Sequence, residues 1–217
     1  MATTTQIIAK QGWVGAFVLL IAFLLTAWLG WSICAFVLFV GLFLWLAMFR
    51  NPERIPNIDE NNAFVSPVDG IIRDITSGDG QVSILIETRF IDVGVIRAPC
   101  DIVEGKCSAK KGLSLACCSK NKRNELNATM HFESLQDRRF SIDFYPIFFS
   151  SQELFVSSNL DIGERIGFMK AGMTRINIPQ IPQKRGKSAD SAEIELKVSV
   201  GDRVKALQSV IGYFYEV

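Results

Sequence analysis

No charged residue occurs between Trp13 and Phe49. A single α-helix over that stretch would run ~55 Å, well beyond a hydrocarbon core ~30 Å thick. Two helices of about 17–18 residues fit instead, near the lower limit for spanning. The turn falls at Leu29-Gly30-Trp31-Ser32, where glycine eases the bend and tryptophan suits an interface. Lys10 precedes the segment, and Arg50 and Arg54 follow it. A transmembrane helical hairpin puts both basic flanks on one face, which the positive-inside rule makes cytoplasmic. One long tilted helix is the alternative, and it sends the following domain to the other face. The run is too long for a signal peptide and no small-residue cleavage site closes it.

The chain has 217 residues, 49% of them hydrophobic, and a mean hydropathy of +0.25. That average suits an apolar anchor joined to one modest polar domain. The 23 basic and 22 acidic residues give a formal net charge of +1, without the concentrated basic footprint that nucleic-acid binding needs. The 5 cysteines are Cys34, Cys100, Cys107, Cys117 and Cys118, and His131 is the single histidine. Their spacing lacks paired C-x-x-C arms, so no metal site is expected. Reduced thiols in a cytosolic compartment are the simplest reading.

Past Phe49 the pattern changes. Residues 50–62, "RNPERIPNIDENN", carry two prolines and no apolar periodicity, and read as a linker. Then come short runs rich in Val, Ile and Phe: "GIIRDI", a Ser-Gly-Asp-Gly turn, "QVSILIE", "RFSIDFYPIFF", "RIGFMKAG", "TRINIP", "AEIELKVSV" and "SVIGYFYEV". Period-two and β-branched runs of this length predict strands. The expected plan is a tail over 1–12, an anchor over 13–49, the linker over 50–62 and a domain over 63–217. That domain is mainly antiparallel β, α+β at most. The polar stretch 180–192, with Lys184, Arg185 and Lys187, reads as a solvated loop. Lys106, Lys110, Lys111, Lys120, Lys122 and Arg123 lie in another loop-like region. Either could touch anionic lipid, at ~1 kcal/mol per basic residue.

Several ordered motifs carry a resemblance. "FRNPERIP", "VSPVDGII", "FIDVGVIRAP", "SKNKRNEL", "ERIGFMKAG" and "VSVGDRVKALQSVIGYF" succeed one another from Phe49 to Phe214. Together they resemble the short bacterial phosphatidylserine decarboxylases. The resemblance implies a bacterial inner-membrane protein of phospholipid metabolism. Members of that family cut their own backbone at a Gly-Ser bond. The serine becomes a pyruvoyl group whose ketone holds the substrate amine and draws electrons during decarboxylation. A histidine and an aspartate support the serine.

On that resemblance Asp69 matches the family aspartate, Gly94 stands at the histidine position, and Met173 stands at the serine position. A thioether cannot form the ester and glycine accepts no proton, so two of three parts are missing. Groups that act as a unit fail together. The expectation is a membrane-anchored relative that has lost its pyruvoyl site, with no cofactor formed. Its expected partners are membrane lipids, including phosphatidylserine or phosphatidylethanolamine, and an active member of the same family.

Thr174 supplies the rival: a hydroxyl one residue late, for an active enzyme matured at Met173-Thr174. Side chains adjacent on a strand face opposite ways, which opposes it. His131 would have to supply a base from elsewhere. Arg97 is a candidate for pairing with a lipid phosphate or carboxylate. Lys170, placed between strands before a glycine turn, gives a minor alternative as the modified lysine of a carrier-like domain. As pure structure, Ser-Pro-x-Asp-Gly is turn chemistry, with the Asp69 carboxylate bonding local N–H groups and Gly70 accepting positive φ.

Overall fold

The computed structural model describes residues 7–56, 62–78, 80–109, 128–134, 139–151, 159–179 and 192–216. The chain divides into two compact units, 1–53 and 54–217. The expected loops over 180–191 and 110–127, with Cys117 and Cys118, lie outside the described residues.

In the first unit a 3-10 turn at Lys10–Gly12 leads into α1, Trp13–Trp28, and then α2, Ser32–Met48. Gly30, at φ +76°, reverses the chain between them, a conformation that a residue with a Cβ adopts only with strain. Phe23 packs at a tilt against Phe39 with ring centroids 5.7 Å apart. Trp45 Nε1 donates to Gly12 O at 2.8 Å. These contacts set the end of α2 beside the start of α1.

The helices have 16 and 17 residues, or ~24 and ~26 Å. Among the described residues no helix is long and apolar enough to cross a membrane. Two helices with a turn at 29–31 stand in place of the single long helix, and neither has the length expected of a spanning segment. The turn at 29–31 cuts the apolar run in two, and α2 ends one residue before Phe49.

The second unit is antiparallel β, as the alternating runs require. Its strands are β1 (Ala63–Val65), β2 (Gly70–Gly78), β3 (Gln81–Thr88), β4 (Val95–Arg97), β5 (Ile102–Ala109), β6 (Ala128–Ser134), β7 (Arg139–Ser151), β8 (Arg165–Pro179), β9 (Ala192–Leu196), β10 (Arg203–Val204) and β11 (Val210–Glu216). Among the described residues they form a small sheet, β1-β11-β9, and a large one, β10-β2-β3-β8-β7-β6-β5, with β4 also on β8. Along β3, Val82, Ile84, Ile86 and Thr88 turn inward and the residues between them turn out, the period of a half-buried strand. Phe64, Ile72, Ile84, Ile86, Ile142, Ile166 and Ile176 belong to the core they fill.

The sequence suggested a break between Gly172 and Thr174. Instead "RIGFMKAG" and "TRINIP" form one strand, β8. Its second half pairs with β3 from Gly172 to Pro179, and its first half with β4 from Arg165 to Phe168. Residues 89–94 pass between those two partners. Across β8, the β7 register shifts between Pro146 and Phe148, opposite Gly172 and Ala171. A bulge of this kind re-aims side chains locally.

Candidate functional site

Asp69 ends the turn before β2 and is buried. A buried carboxylate needs its charge compensated, and Arg54 supplies that. Its Nη2 donates to Asp69 Oδ2 at 2.7 Å and its Nη1 to Oδ1. The Ala206 N–H donates to Oδ1 at 2.8 Å, and Arg54 Nη1 also reaches Ala206 O at 2.9 Å. The partners of Asp69 are therefore distant in sequence, not the local N–H groups expected of a turn. Gly70 likewise has no positive φ. It is small because a Cβ there would stand 2.3 Å from Glu87 O. The rest of the motif is knotted in the same way. Ser66 Oγ donates to Val68 O at 2.7 Å, the Arg97 N–H to Pro67 O, and Thr88 Oγ1 to Asp69 O.

Met173 lies mid-strand on β8, between Glu87 of β3 and Tyr145 of β7. It is on the outward row. Thr174, its neighbour, turns inward between Ile86 and Phe144 and is fully buried. The Thr174 hydroxyl has no hydrogen-bond partner among the described residues. Gly172 is held by packing, since a Cβ would meet Tyr145 O at 2.5 Å and Met169 Sδ at 2.8 Å. Asp69 lies beside Thr88, which pairs with Gly172. Its backbone is thus two strand spacings from β8, roughly 10 Å.

Gly94 meets β8 four residues before Met173, where the Met169 N–H donates to Gly94 O at 2.7 Å. A Cβ at Gly94 would stand 2.9 Å from Met169 O and 2.9 Å from the Phe168 ring. Backbone on one side and an aromatic ring on the other leave no space for an imidazole. The loop carrying Gly94 is fixed by Asp92. The Asp92 carboxylate accepts from the Arg89 N–H at 3.0 Å and from Arg203 Nη2 at 3.0 Å, and its carbonyl accepts from Lys170 Nζ at 2.7 Å.

The positions matched to the family's three residues therefore converge on one end of the β3–β8 ladder. The groups now present are a carboxylate bound to arginine, a glycine packed on backbone, and a thioether. At the Gly172-Met173 link the side chain is a thioether, which offers no hydroxyl. His131 pairs in register with Lys106 and Ser141. The latter row continues to Asn177, four residues along β8 from Met173, or ~13 Å along the strand and ~10 Å across the sheet. Arg97 is nearly buried and its Nη1 donates to Gly163 O at 3.1 Å. Lys170 is buried at 1% exposure in the middle of a strand, which corrects the turn position that the carrier-like reading relied on. Among the described residues no cluster of His, Cys, Asp and Glu could hold a metal.

Sequence reasoning missed Arg54 as the partner of Asp69. The signal was there: a carboxylate in an apolar setting requires a cation, and "NPERIP" offers one just upstream. The Asp92–Lys170–Arg203 cluster had no such signal, since its members are far apart in the chain.

No family model matches the sequence. One curated relative aligns end to end: the phosphatidylserine decarboxylase proenzyme of Syntrophotalea carbinolica, 27% identical over 236 residues, covering 98% of this chain and 99% of the relative. The chain is similar to a phosphatidylserine decarboxylase proenzyme. Weak as the identity is, its full-length extent supports a family relationship, and it agrees with the order of motifs from "FRNPERIP" onward. The likeness includes the region of the apolar pair as well as the β unit.

Proposed function

We propose that this protein is a membrane-anchored relative of the phosphatidylserine decarboxylases that serves phospholipid metabolism without making a pyruvoyl group. One observation carries the reading: the link matched to the self-cleaved bond is Gly172-Met173, and the thioether has no oxygen to attack the preceding carbonyl. Two others support it. Both carboxylate oxygens of Asp69 are taken up by Arg54 and the Ala206 N–H, and a Cβ at Gly94 would meet Met169 O and the Phe168 ring. Lipid is the partner this reading names, phosphatidylserine or phosphatidylethanolamine first. An active decarboxylase is a second partner, which would co-purify in mild detergent. The apolar helical pair is the anchor, and its flanking Lys10 and Arg50 fit a cytoplasmic inner face.

The competing reading is decarboxylation of phosphatidylserine after maturation at Thr174. Its support is the buried, unpartnered Thr174 hydroxyl, which is chemically able to attack the Met173 carbonyl. Against it, no base touches that hydroxyl among the described residues, and a hydroxyl nucleophile requires one in place. Intact-mass measurement on the purified chain separates the two readings. A single species at 24.2 kDa, without decarboxylase activity on phosphatidylserine vesicles, is the expected result. Two fragments, the smaller beginning at residue 174 with a 2-oxobutyryl group, would establish the competitor.

A further inference from the structure

The first unit exposes apolar side chains all round. Phe17, Leu24, Phe36 and Phe43 are each more than half exposed, and the buried helical residues are only Ala16 and Ala35. A pair of helices this short does not cover itself, and water is a poor solvent for such a surface. Its two ends differ. At one end the chain enters and leaves side by side: the Ala9 N–H donates to Phe49 O and the Asn51 N–H to Ile7 O, both at 2.8 Å. Exposed Lys10 and Arg50 sit there, where they can meet lipid phosphates. At the other end there is no charge at all.

The uncharged turn also pairs much of its own backbone. The N–H groups of Leu29, Gly30, Trp31 and Ser32 donate to Leu25 O, Ala27 O, Thr26 O and Gly30 O at 3.0 to 3.2 Å. Thr26 Oγ1 folds back onto Ala22 O at 2.9 Å. Hydrocarbon tolerates only backbone whose polar groups are paired internally, and this turn meets much of that condition. A turn that emerged into water would need none of this and would ordinarily carry polar residues.

We infer that the helical pair is a re-entrant membrane insert: it enters and leaves the bilayer by one face, and its turn stays within the lipid. This rests on the membrane reading above. Depth agrees, because helices of ~24 to ~26 Å starting at the headgroups of one leaflet end short of the far edge of a ~30 Å core. The protein's 4 tryptophans mark the two levels. Trp13 and Trp45 lie at the basic end, and Trp28 and Trp31 beside the turn. The latter pair would lie just beneath the far headgroups, as indoles favour.

Those tryptophans make the test direct. The full chain is reconstituted into vesicles of phosphatidylethanolamine and phosphatidylglycerol, and iodide is supplied on both faces. In the Trp13→Phe/Trp45→Phe variant the turn emitters should resist iodide and be quenched by lipids brominated on their acyl chains. In Trp28→Phe/Trp31→Phe the remaining emitters, at the headgroup level, should be quenched by iodide several-fold more strongly. Strong iodide quenching of the turn emitters, in chains that still float with vesicles after alkaline carbonate, would overturn the inference and leave the anchor standing. Chains that do not float would remove the anchor itself. A second readout needs no substitution. Cys34, in the first turn of α2, should stay unlabelled by a membrane-impermeant maleimide on both faces until detergent is added, with peptide mass locating the adduct. Labelling in sealed vesicles would mean that the turn reaches water.

Discussion

Asp69 and Thr174 are both polar and both buried, and they sit on opposite sides of the Met173 position, yet their surroundings are unlike. Each carboxylate oxygen of Asp69 has a donor, and the strongest of these is a guanidinium that is itself nearly buried. The Thr174 hydroxyl has none among the described residues and is walled by Ile86 and Phe144. A working acid–base centre needs groups that are satisfied in part, close to the reacting atom and able to exchange a proton. The Asp69 oxygens are occupied by structural donors, and the Thr174 hydroxyl meets no partner among the described residues. The first is a structural tie, and the second is an unpaired oxygen in an apolar layer.

Asp69→Ala should be the most damaging way to probe this difference. It would leave the Arg54 guanidinium buried without its anion and the Ala206 N–H without an acceptor. Removing one partner of a buried pair typically costs about 3–5 kcal/mol. The expected result is a loss of that order in the β unit, read as a lower denaturant midpoint of the β-sheet circular dichroism signal in detergent. A midpoint equal to that of the unsubstituted chain would mean that the carboxylate is not tied down, and the contrast with Thr174 would vanish.

Gly94→His comes next. It places an imidazole where the resemblance expects one, but the Cβ alone meets Met169 O and the Phe168 ring at 2.9 Å. Overpacking of this kind costs about 1–3 kcal/mol. We expect a destabilised chain that remains uncut by intact mass, because Met173 is unchanged. Unaltered stability would show that β8 and the 89–94 loop can separate, so that the space is not closed after all.

Much of the fold was readable because strand signals are local. Alternation in "QVSILIET" gave β3 its inward and outward faces, and the Gly-Asp-Gly cluster marked the turn between β2 and β3. The continuity of β8 was not readable. "MKAG" places a lysine and two small residues in a row, which looks like a break. Only the neighbours explain it: Asp92 O takes the Lys170 ammonium, and Tyr145 O takes the space that a Gly172 side chain would fill. The helical pair and its turn were readable from the uncharged run and from Gly30 between two tryptophans. At the candidate site the residue types at 69, 94 and 173 could be read directly. What surrounds them could not, because Arg54, Ala206 and Met169 reach those positions through pairing across the sheet and through distant loops.

Thr174→Val should have the smallest effect, and the opposite sign. Valine keeps the shape and the β-branching that suit an inward strand position. It removes only an oxygen that no donor or acceptor meets. An unsatisfied buried polar group carries a penalty of about 1–3 kcal/mol, part of which the substitution should recover, so a gain near ~1 kcal/mol is expected in the same denaturation measurement. The sign is the informative part. If the Thr174 oxygen were held by a base, or were the nucleophile of a maturation step, valine would instead lower stability or abolish fragmentation. A gain, with the chain intact before and after, would identify the hydroxyl as a burden on the core and leave the Gly172-Met173-Thr174 segment as an ordinary run of β8.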